Sequence, residues 1–96
     1  NATLYGAKLK DTNLSNSNLR EVTLDSAVLD GTDLSNTNLE DSFAYSTQFE
    51  NVKIKGADFT NVFLPKDVVR KFCEDASGTN PFTNRETRET LECDYI

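Results

Sequence analysis

A repeat of five residues runs through about two thirds of the chain and limits the folds that the chain can adopt. In the stretch TDLSNTNLEDSFAYSTQFEN, from Thr32 to Asn51, an apolar residue stands at every fifth position. A helix repeats its apolar residues about every 3.6 positions, and a half-buried strand repeats them at about every second position. A period of five fits neither pattern, so this part of the chain is neither a simple helix bundle nor a simple alternating sheet.

The register of five holds for thirteen repeats without an insertion. The residue two positions before each central apolar residue is always Ala, Ser, Thr or Val, and the residue two positions after it is mostly a turn-forming type. In an extended segment, residues two apart point to the same side. The repeat therefore predicts a solenoid whose units bury their inner side only against their neighbours. The predicted core stripe, interrupted by the small Ala44, consists of Leu4, Leu9, Leu14, Leu19, Leu24, Leu29, Leu34, Leu39, Phe49, Ile54, Phe59 and Leu64.

This pattern resembles the pentapeptide-repeat family, with its motif A(D/N)LXX, over residues 1 to about 65. The resemblance implies an all-β solenoid, a right-handed quadrilateral β-helix whose coils stack at about the 4.8 Å spacing of paired strands. Four repeats close one coil, so the thirteen repeats give about 3.25 coils. We expect one structural domain, with the β-helix in residues 1–65 and a C-terminal two-helix cap in residues 66–96.

The C-terminal third leaves the period of five after Leu64. Pro65 suits the first turn of a helix, and the apolar residues that follow it fall on one helical face. The sequence TNRE at Thr83–Glu86 has the form of a capping box, which predicts a second helix ending near Glu92. We expect the two helices to form a hairpin across the open end of the β-helix, where bare N–H and C=O groups would promote aggregation.

Cys73 and Cys93 stand one on each predicted helix and are well placed to meet. A disulfide between them would contribute about 3 kcal/mol and would imply an oxidising compartment; two buried free thiols are the alternative. The segment from Phe72 to Cys93 also resembles the tail of the thylakoid-lumen pentapeptide-repeat proteins of plants and cyanobacteria, which end in Cys…ASGxNPxTxxxTRxxLxC. Asn84 stands where that group would have Gly. The resemblance implies a lumenal protein with an oxidised cysteine pair and no defined biochemical activity.

The sequence contains no recognisable catalytic or metal-binding constellation. It has no histidine, its carboxylates are spread over four faces, and the predicted interior is dry, whereas an enzyme needs converging polar groups in a cleft. Two distant cysteines do not make a zinc site, and the twelve residues from Asp75 to Glu86 resemble a calcium loop except that Asn80 stands where Gly is required. We therefore expect no enzyme activity, no cofactor and no metal. Because nothing approaches 18 consecutive apolar residues, we expect no membrane span.

One face of the predicted β-helix is rich in aromatic residues. Stacking residues 20 apart along the sequence brings together Tyr5, Phe43, Tyr45 and Phe63 on the outside of this face. The favoured interpretation is that the C-terminal segment covers them, and the alternative is a docking face for another protein. The same stacking predicts pairs of opposite charge on adjacent coils, namely Lys10 with Asp30, Asp33 with Lys53, and Arg20 with Glu40.

Taken together, these features predict a non-catalytic structural or protein-interaction module of the thylakoid lumen with an unidentified protein partner. The net charge of −6 argues against a general nucleic-acid-binding surface, which would need a basic patch. The alternative, drawn from the family resemblance, is an acidic DNA mimic that binds a type II topoisomerase. Against it, residues 1–64 carry nine acids and five bases. A rod of roughly 15 Å would also span only about four to five base pairs.

The first coil raises a further expectation. Asn1 is already in register, so the sequence begins inside a coil. The upper backbone edge from Ala2 to Leu19 is then expected to lack hydrogen-bond partners. We expect this edge to pair end to end with another copy of the chain or with further repeats.

Overall fold

The structure, a computed structural model, describes residues 3–95. The in-register start at Asn1, the inward position of Ala2 and the last residue of the predicted cap, Ile96, lie outside those residues.

Stacked coils of 20 residues make up the repeat region. Parallel backbone bridges join Thr3 to Thr23, Thr23 to Phe43 and Phe43 to Phe63, and equivalent bridges lie on the other sides of the coil. One coil therefore contains four repeats. Among residues 3–95, longer pairing occurs only between strand β1 (Val28–Asp30) and strand β2 (Gln48–Glu50), which are parallel, with Leu29 opposite Phe49.

A left-handed backbone conformation two residues after the central residue turns the chain at almost every corner. At these corners φ lies between 52° and 76°. Gly reaches this region without strain, and Asn and Asp reach it more easily than other residues with a side chain. Glu21 adopts it as well (φ 58°), although its residue type gives no such signal. The one described corner up to residue 61 that lacks it is Ser46.

The core stripe points inward along the whole rod, but its burial depends on position. Leu24, Leu29, Leu34, Leu39, Ala44, Ile54 and Phe59 are buried. The remaining members are only partly buried, namely Leu4, Leu9, Leu14, Leu19, Phe49 and Leu64. Leu24, Leu29, Leu34, Leu39 and Ala44 are buried because repeat residues lie on both sides of them, and Ile54 and Phe59 are buried because the C-terminal segment covers their second side. The first coil has a neighbour on one side among the described residues.

Threonine hydroxyls give the interior a polar ladder that side-chain size alone did not predict. Each hydroxyl lies two positions before a central residue and donates to the carbonyl of a central residue on the preceding coil. Buried carbonyl groups need such donors because water is absent. The donors are Thr32, Thr37 and Thr47, and the acceptors are the carbonyls of Leu9, Leu14 and Leu24, respectively.

The segment after the repeats contains less helix than predicted. Helix α1 spans Lys66–Asp75, helix α2 spans only Thr87–Thr90, and a 3₁₀ turn spans Cys93–Tyr95. The predicted second short helix is present, but it begins at Thr87 rather than at the capping box and ends at Thr90 rather than near Glu92.

Two local features keep the chain from turning helical at the predicted capping box. Asn84 takes a left-handed conformation (φ 61°), which suits Asn at a position where Gly was expected. Thr79 and Glu86 form an antiparallel bridge in which Glu86 is extended (φ −77°, ψ 138°), so helix α2 begins only at Thr87. The Thr83 hydroxyl accepts a bond from the Arg85 N–H (3.3 Å), which makes a local turn rather than a helix cap.

The C-terminal segment covers the last coil with both apolar and polar contacts. The Phe72 ring of α1 packs on Phe49 and Phe59, with ring centroids 5.2 and 5.4 Å apart. The Phe59 N–H donates to the Thr90 hydroxyl at 3.0 Å. This end of the sheet edge is therefore satisfied by the cap at several points.

Asn80 is the main polar connection between the cap and the coils. Its side chain is completely buried, and its Nδ2 donates to the carbonyls of Thr37 (3.1 Å) and Gly56 (2.9 Å). Its Oδ1 accepts from the N–H groups of Phe82 (2.9 Å) and Thr83 (3.1 Å). The two N–H donors of this buried amide thus join the loop to two adjacent coils, and its oxygen fixes the turn of the loop itself.

A disulfide joins Cys73 and Cys93, whose Cα atoms are 5.6 Å apart. Cys73 lies on α1 as predicted, but Cys93 lies in the 3₁₀ turn rather than on a second helix. The bond therefore ties the end of the chain to α1.

Candidate functional site

The aromatic face, defined as Tyr5, Phe43, Tyr45 and Phe63, lies on one side of the rod. Phe43 and Phe63 are paired by a backbone bridge, and their rings stack with centroids 5.3 Å apart and an interplanar angle of 4°. The four residues keep between 45% and 69% of their surface exposed, and Tyr5 is the most exposed.

The favoured interpretation that the C-terminal segment covers this face is wrong. Helix α1 begins directly after Pro65 and directs Phe72 onto Phe49 and Phe59, which belong to other sides of the coil. The segment closes the end of the rod and leaves the side wall bare. All four rings are therefore free for contact with another molecule.

The corner after Ala44 is built differently from the others. Ser46 does not adopt the left-handed conformation found at the other described corners of the repeat region, and Ser26 N–H does not make the usual inter-coil bond to the Tyr45 carbonyl. Instead, the Tyr45 N–H donates to Asp25 Oδ1 at 3.0 Å. Ala44 itself is buried, so the interruption of the leucine stripe changes the outside of this face more than its inside.

Carboxylates surround the aromatic face, and sequence reasoning missed their association with it. Residues 3–6, 21–26, 41–46 and 61–66 form this side and its corners, and their charged residues are three acids, Glu21, Asp25 and Asp41, and one base, Lys66, at the start of helix α1. Asp41 lines an open surface depression together with Phe43, Asn61, Val62 and Phe63. The same 20-residue stacking that gathered the rings would have revealed these acids.

A separate charged cluster links the rod to the cap. Arg85 Nη1 lies 3.3 Å from both Glu40 Oε1 and Asp58 Oδ2, and Arg20 Nε lies 3.7 Å from Glu40 Oε1. The predicted pair of Arg20 with Glu40 is therefore present. The loop residue Arg85, which nothing in the repeat pattern indicated, extends it to the buried Asp58.

Asp58 remains ionised despite its burial. Burial alone would raise its pKa, but hydrogen bonds from Thr60 and Thr83 and the charge of Arg85 together lower the pKa below its ordinary value of 3.8. The Asp58 carboxylate in turn raises the pKa of Arg85. This cluster holds the cap in place and does not offer a free acid or base.

The other two predicted pairs differ from each other. Asp33 and Lys53 are partners in a parallel backbone bridge, but their side chains form no ion pair within residues 3–95. The pKa of Asp33 is lowered first by hydrogen bonds from Ser35 and less by the charge of Lys53. Lys10 and Asp30 form no ion pair in the described chain. Exposed pairs of this kind contribute little, which fits their loose geometry.

Within residues 3–95, no group of three or more Cys, Asp or Glu side chains is arranged to hold a metal ion. In the same part of the chain, no helix has the length and apolar character that a bilayer crossing requires.

Known proteins share both the repeat and the coil. The sequence profile of the family described as pentapeptide repeats matches eight copies over residues 2–41 and 27–64, which is more than half of the chain. The chain belongs to the pentapeptide-repeat family. Its fold is accordingly the right-handed quadrilateral β-helix of that family, and its C-terminal end carries helices and a disulfide.

The relatives of this pentapeptide-repeat protein point to one compartment. Thylakoid lumenal 15 kDa protein 1, chloroplastic, from Arabidopsis thaliana is 44% identical over 48 residues, which are 50% of this chain and 21% of the relative. The crystal structure of a pentapeptide repeat protein from the Arabidopsis thaliana thylakoid lumen is 36% identical, with a TM-score of 0.82. That similarity covers 96% of this chain and 68% of the other. The predicted localisation to the thylakoid lumen is confirmed by these two findings.

More distant structures share the coil alone. Two structures of QnrB1, a plasmid-mediated fluoroquinolone resistance protein, are 17% and 18% identical with TM-scores of 0.57 and 0.58. Each similarity covers 76% of this chain and 42% of QnrB1. At this level of identity the likeness concerns the fold.

Proposed function

We propose that this chain is a non-catalytic protein-interaction module of the thylakoid lumen and that the aromatic face is its partner surface. The observation that carries the proposal is the exposure of all four rings on one flat side of a rigid rod. Exposed apolar patches commonly mark interaction sites, and aromatic residues are enriched at the centres of protein interfaces. The absence of histidine from the sequence and the ionised, paired state of Asp58 support a module without catalysis.

The rod itself favours a scaffold role. About 3.25 coils give a stiff body roughly 15 Å long, on which side chains in one column hold fixed spacings. Because the sheet spacing fixes where the rings lie, a partner would meet a preformed surface and lose little entropy in ordering it.

A photo-crosslinking experiment tests the proposal. Benzoylphenylalanine replaces Tyr45 in one sample and Ser35, which holds the equivalent repeat position on the opposite side, in the matched control. Each protein is irradiated in thylakoid lumen extract, and crosslinked peptides are identified by mass spectrometry. We expect a specific lumenal protein to crosslink at position 45 and not at position 35. Equal crosslinking at both positions, or none at position 45, would contradict the proposal.

The alternative of an acidic DNA mimic receives less support. Two of its acids, Glu40 and Asp58, are neutralised by Arg20 and Arg85. The exposed rings of the aromatic face also have no counterpart on a phosphate backbone. A type II topoisomerase that crosslinked at position 45 would favour the mimic.

A second contact is proposed at the N-terminal edge of the rod. The N–H groups of Lys8, Asn13 and Asn18 have no backbone acceptor among the described residues, whereas their counterparts one coil further on are bonded. Such an edge favours pairing with a further strand, either from a second copy of the chain or from further repeats.

A further inference from the structure

We propose that the segment that docks on the aromatic face carries arginine side chains. This inference rests on the proposed function and adds the chemical class of the partner. It follows from the arrangement of the rings, the sign of the charges around them and the geometry of the guanidinium group.

The rings offer faces on which a flat cation can lie. Phe43 and Phe63 stack nearly parallel, so each ring covers one face of the other and leaves one face uncovered by its neighbour. Phe43 remains 45% exposed and Phe63 59% exposed. Aromatic faces attract Arg and Lys side chains through the ring quadrupole, and the planar guanidinium also stacks on them.

The charges of this side select a cation. Its stacked residues and corners carry three carboxylates and one basic side chain, that of Lys66 at the start of helix α1, so the side is acidic on balance. Asp41 borders the same depression as the two stacked rings, and Asp25 lies beside Tyr45 through the Tyr45 N–H bond. An anionic partner would be repelled here, and a purely apolar one would leave these carboxylates partly desolvated without a partner.

Arginine fits this arrangement better than lysine does. A guanidinium group can lie flat on a ring and, through its edge, donate paired hydrogen bonds to a carboxylate. The Asp41 carboxylate and the Phe43 and Phe63 rings border one depression, so one arginine side chain can use both kinds of contact at once. Lysine would act only as a point charge.

The test is an NMR titration of the full ¹⁵N-labelled chain with the peptide acetyl-Arg-Gly-Arg-amide. A second titration uses the same peptide with citrulline in place of arginine, which keeps the shape and removes the charge. We expect the arginine peptide to shift the amides of Phe43, Tyr45 and Phe63 in a saturable manner. We expect the citrulline peptide to bind at least about threefold more weakly, in line with exposed cation–π and ion-pair strengths.

A matched pair of variants locates the charge effect. Asp41→Asn and Asp11→Asn change the net charge equally, and both positions have a left-handed backbone (φ 63° and 52°) that Asn also adopts readily. We expect Asp41→Asn to weaken binding of the arginine peptide by about threefold and Asp11→Asn to change it by less than about 1.5-fold.

Several results would overturn the inference. The first is equal affinity for the arginine and citrulline peptides, and the second is an equal effect of the two Asn variants. The third is a change in amide chemical shifts near the acidic residues of all four sides rather than at the aromatic face. If a lumenal protein still crosslinks at position 45 in that case, the proposed function stands and only the arginine chemistry falls. If the crosslink is absent as well, both fall.

Discussion

The two ends of the rod are made from the same repeat, yet they differ in how their backbone edges are satisfied. At the C-terminal end, the Gly56 N–H donates to the Ser77 carbonyl (2.9 Å), and the Asn80 amide donates to the Gly56 carbonyl. At the N-terminal end, the N–H groups of Lys8 and Asn13 lack such acceptors in the described chain. The repeat therefore builds the wall of the coil, and at the C-terminal end a different kind of sequence closes it.

The core shows the same contrast. Leu14 and Leu34 occupy the same column one coil apart, but Leu34 is fully buried and Leu14 is only partly buried. Both leucines belong to the same motif, so the difference comes from what is stacked above them. Burial in a solenoid is a property of the neighbouring coil as much as of the residue.

The largest effect is expected from truncating this column. Leu34→Ala should lower the free energy of unfolding by about 2–5 kcal/mol, because it leaves a cavity between two coils. Leu14→Ala should cost only about 1–2 kcal/mol, because Leu14 already contacts solvent. Urea denaturation of both variants measures the difference. The control Ser35→Ala, at a partly exposed position outside the core stripe, should cost less than about 0.5 kcal/mol. Equal losses for Leu34 and Leu14 would mean that the two coils are covered alike.

Reduction of the disulfide should loosen the C-terminal end of the rod and leave the N-terminal end largely unchanged. Breaking the bond between Cys73 and Cys93 should remove about 3 kcal/mol of stability, because the unfolded chain is no longer constrained. Amide hydrogen exchange should rise in residues 66–95, while the circular dichroism of the repeats largely survives. A Cys73→Ser, Cys93→Ser double variant provides the control, since reductant should not change it. Free thiols in freshly purified native protein would refute both the disulfide and the argument for an oxidising compartment.

A somewhat smaller effect is expected at Asn80. Asn80→Ala removes the donor to two buried carbonyls and the acceptor for two N–H groups. Stability should fall by about 1–3 kcal/mol, the usual cost of buried polar groups left without partners. Thermal unfolding compares this variant with Asn84→Ala, whose side chain is exposed and whose loss acts mainly on one turn. A smaller loss at Asn80 than at Asn84 would show that the cap does not depend on this amide.

The smallest energetic effect concerns the open edge, where exchange rates are the sensitive measure. In dilute solution, the unbonded amides should exchange faster than the bonded amides that lie one coil below them in the same columns. The unbonded set is Lys8, Asn13 and Asn18, and the bonded set is Val28, Asp33 and Asn38. Protection of the first set should increase with protein concentration if copies pair end to end. Equally slow exchange of both sets in a proven monomer would mean that a local feature covers the edge.

The repeat region was largely predictable, and the reasons are physical. Thirteen registers of one pattern leave little freedom, so the inward stripe, the 20-residue stacking and the aromatic face followed from the residues and the family resemblance. The pattern does not predict which of the small inward residues donate side-chain hydrogen bonds to the preceding coil. The Thr32 and Thr37 hydroxyls look like any other small side chain until the carbonyls of the preceding coil are in place.

The cap was less predictable because its backbone follows the coils it covers. A capping box at Thr83 is a local signal for a helix, but Asn84 is left-handed and Glu86 is extended in its bridge with Thr79, so no helix begins before Thr87. Arg85 then reaches Asp58 instead of pointing from a helix into solvent. The exposure of the aromatic face could not be predicted from the sequence either, because it depends on the direction in which helix α1 leaves Pro65.

The square cross-section has a consequence for how such chains can change in length. Each repeat turns the chain through a quarter of a coil, so inserting one repeat between Phe43 and Pro65 would rotate the cap to the adjacent side and separate Phe63 from its stacking partner. Inserting four repeats would leave the cap and the rings on their present sides and lengthen the rod by one strand spacing, about 4.8 Å. Insertions of whole coils therefore change the distance between the two ends of the rod, while the side on which the cap and the rings lie stays the same.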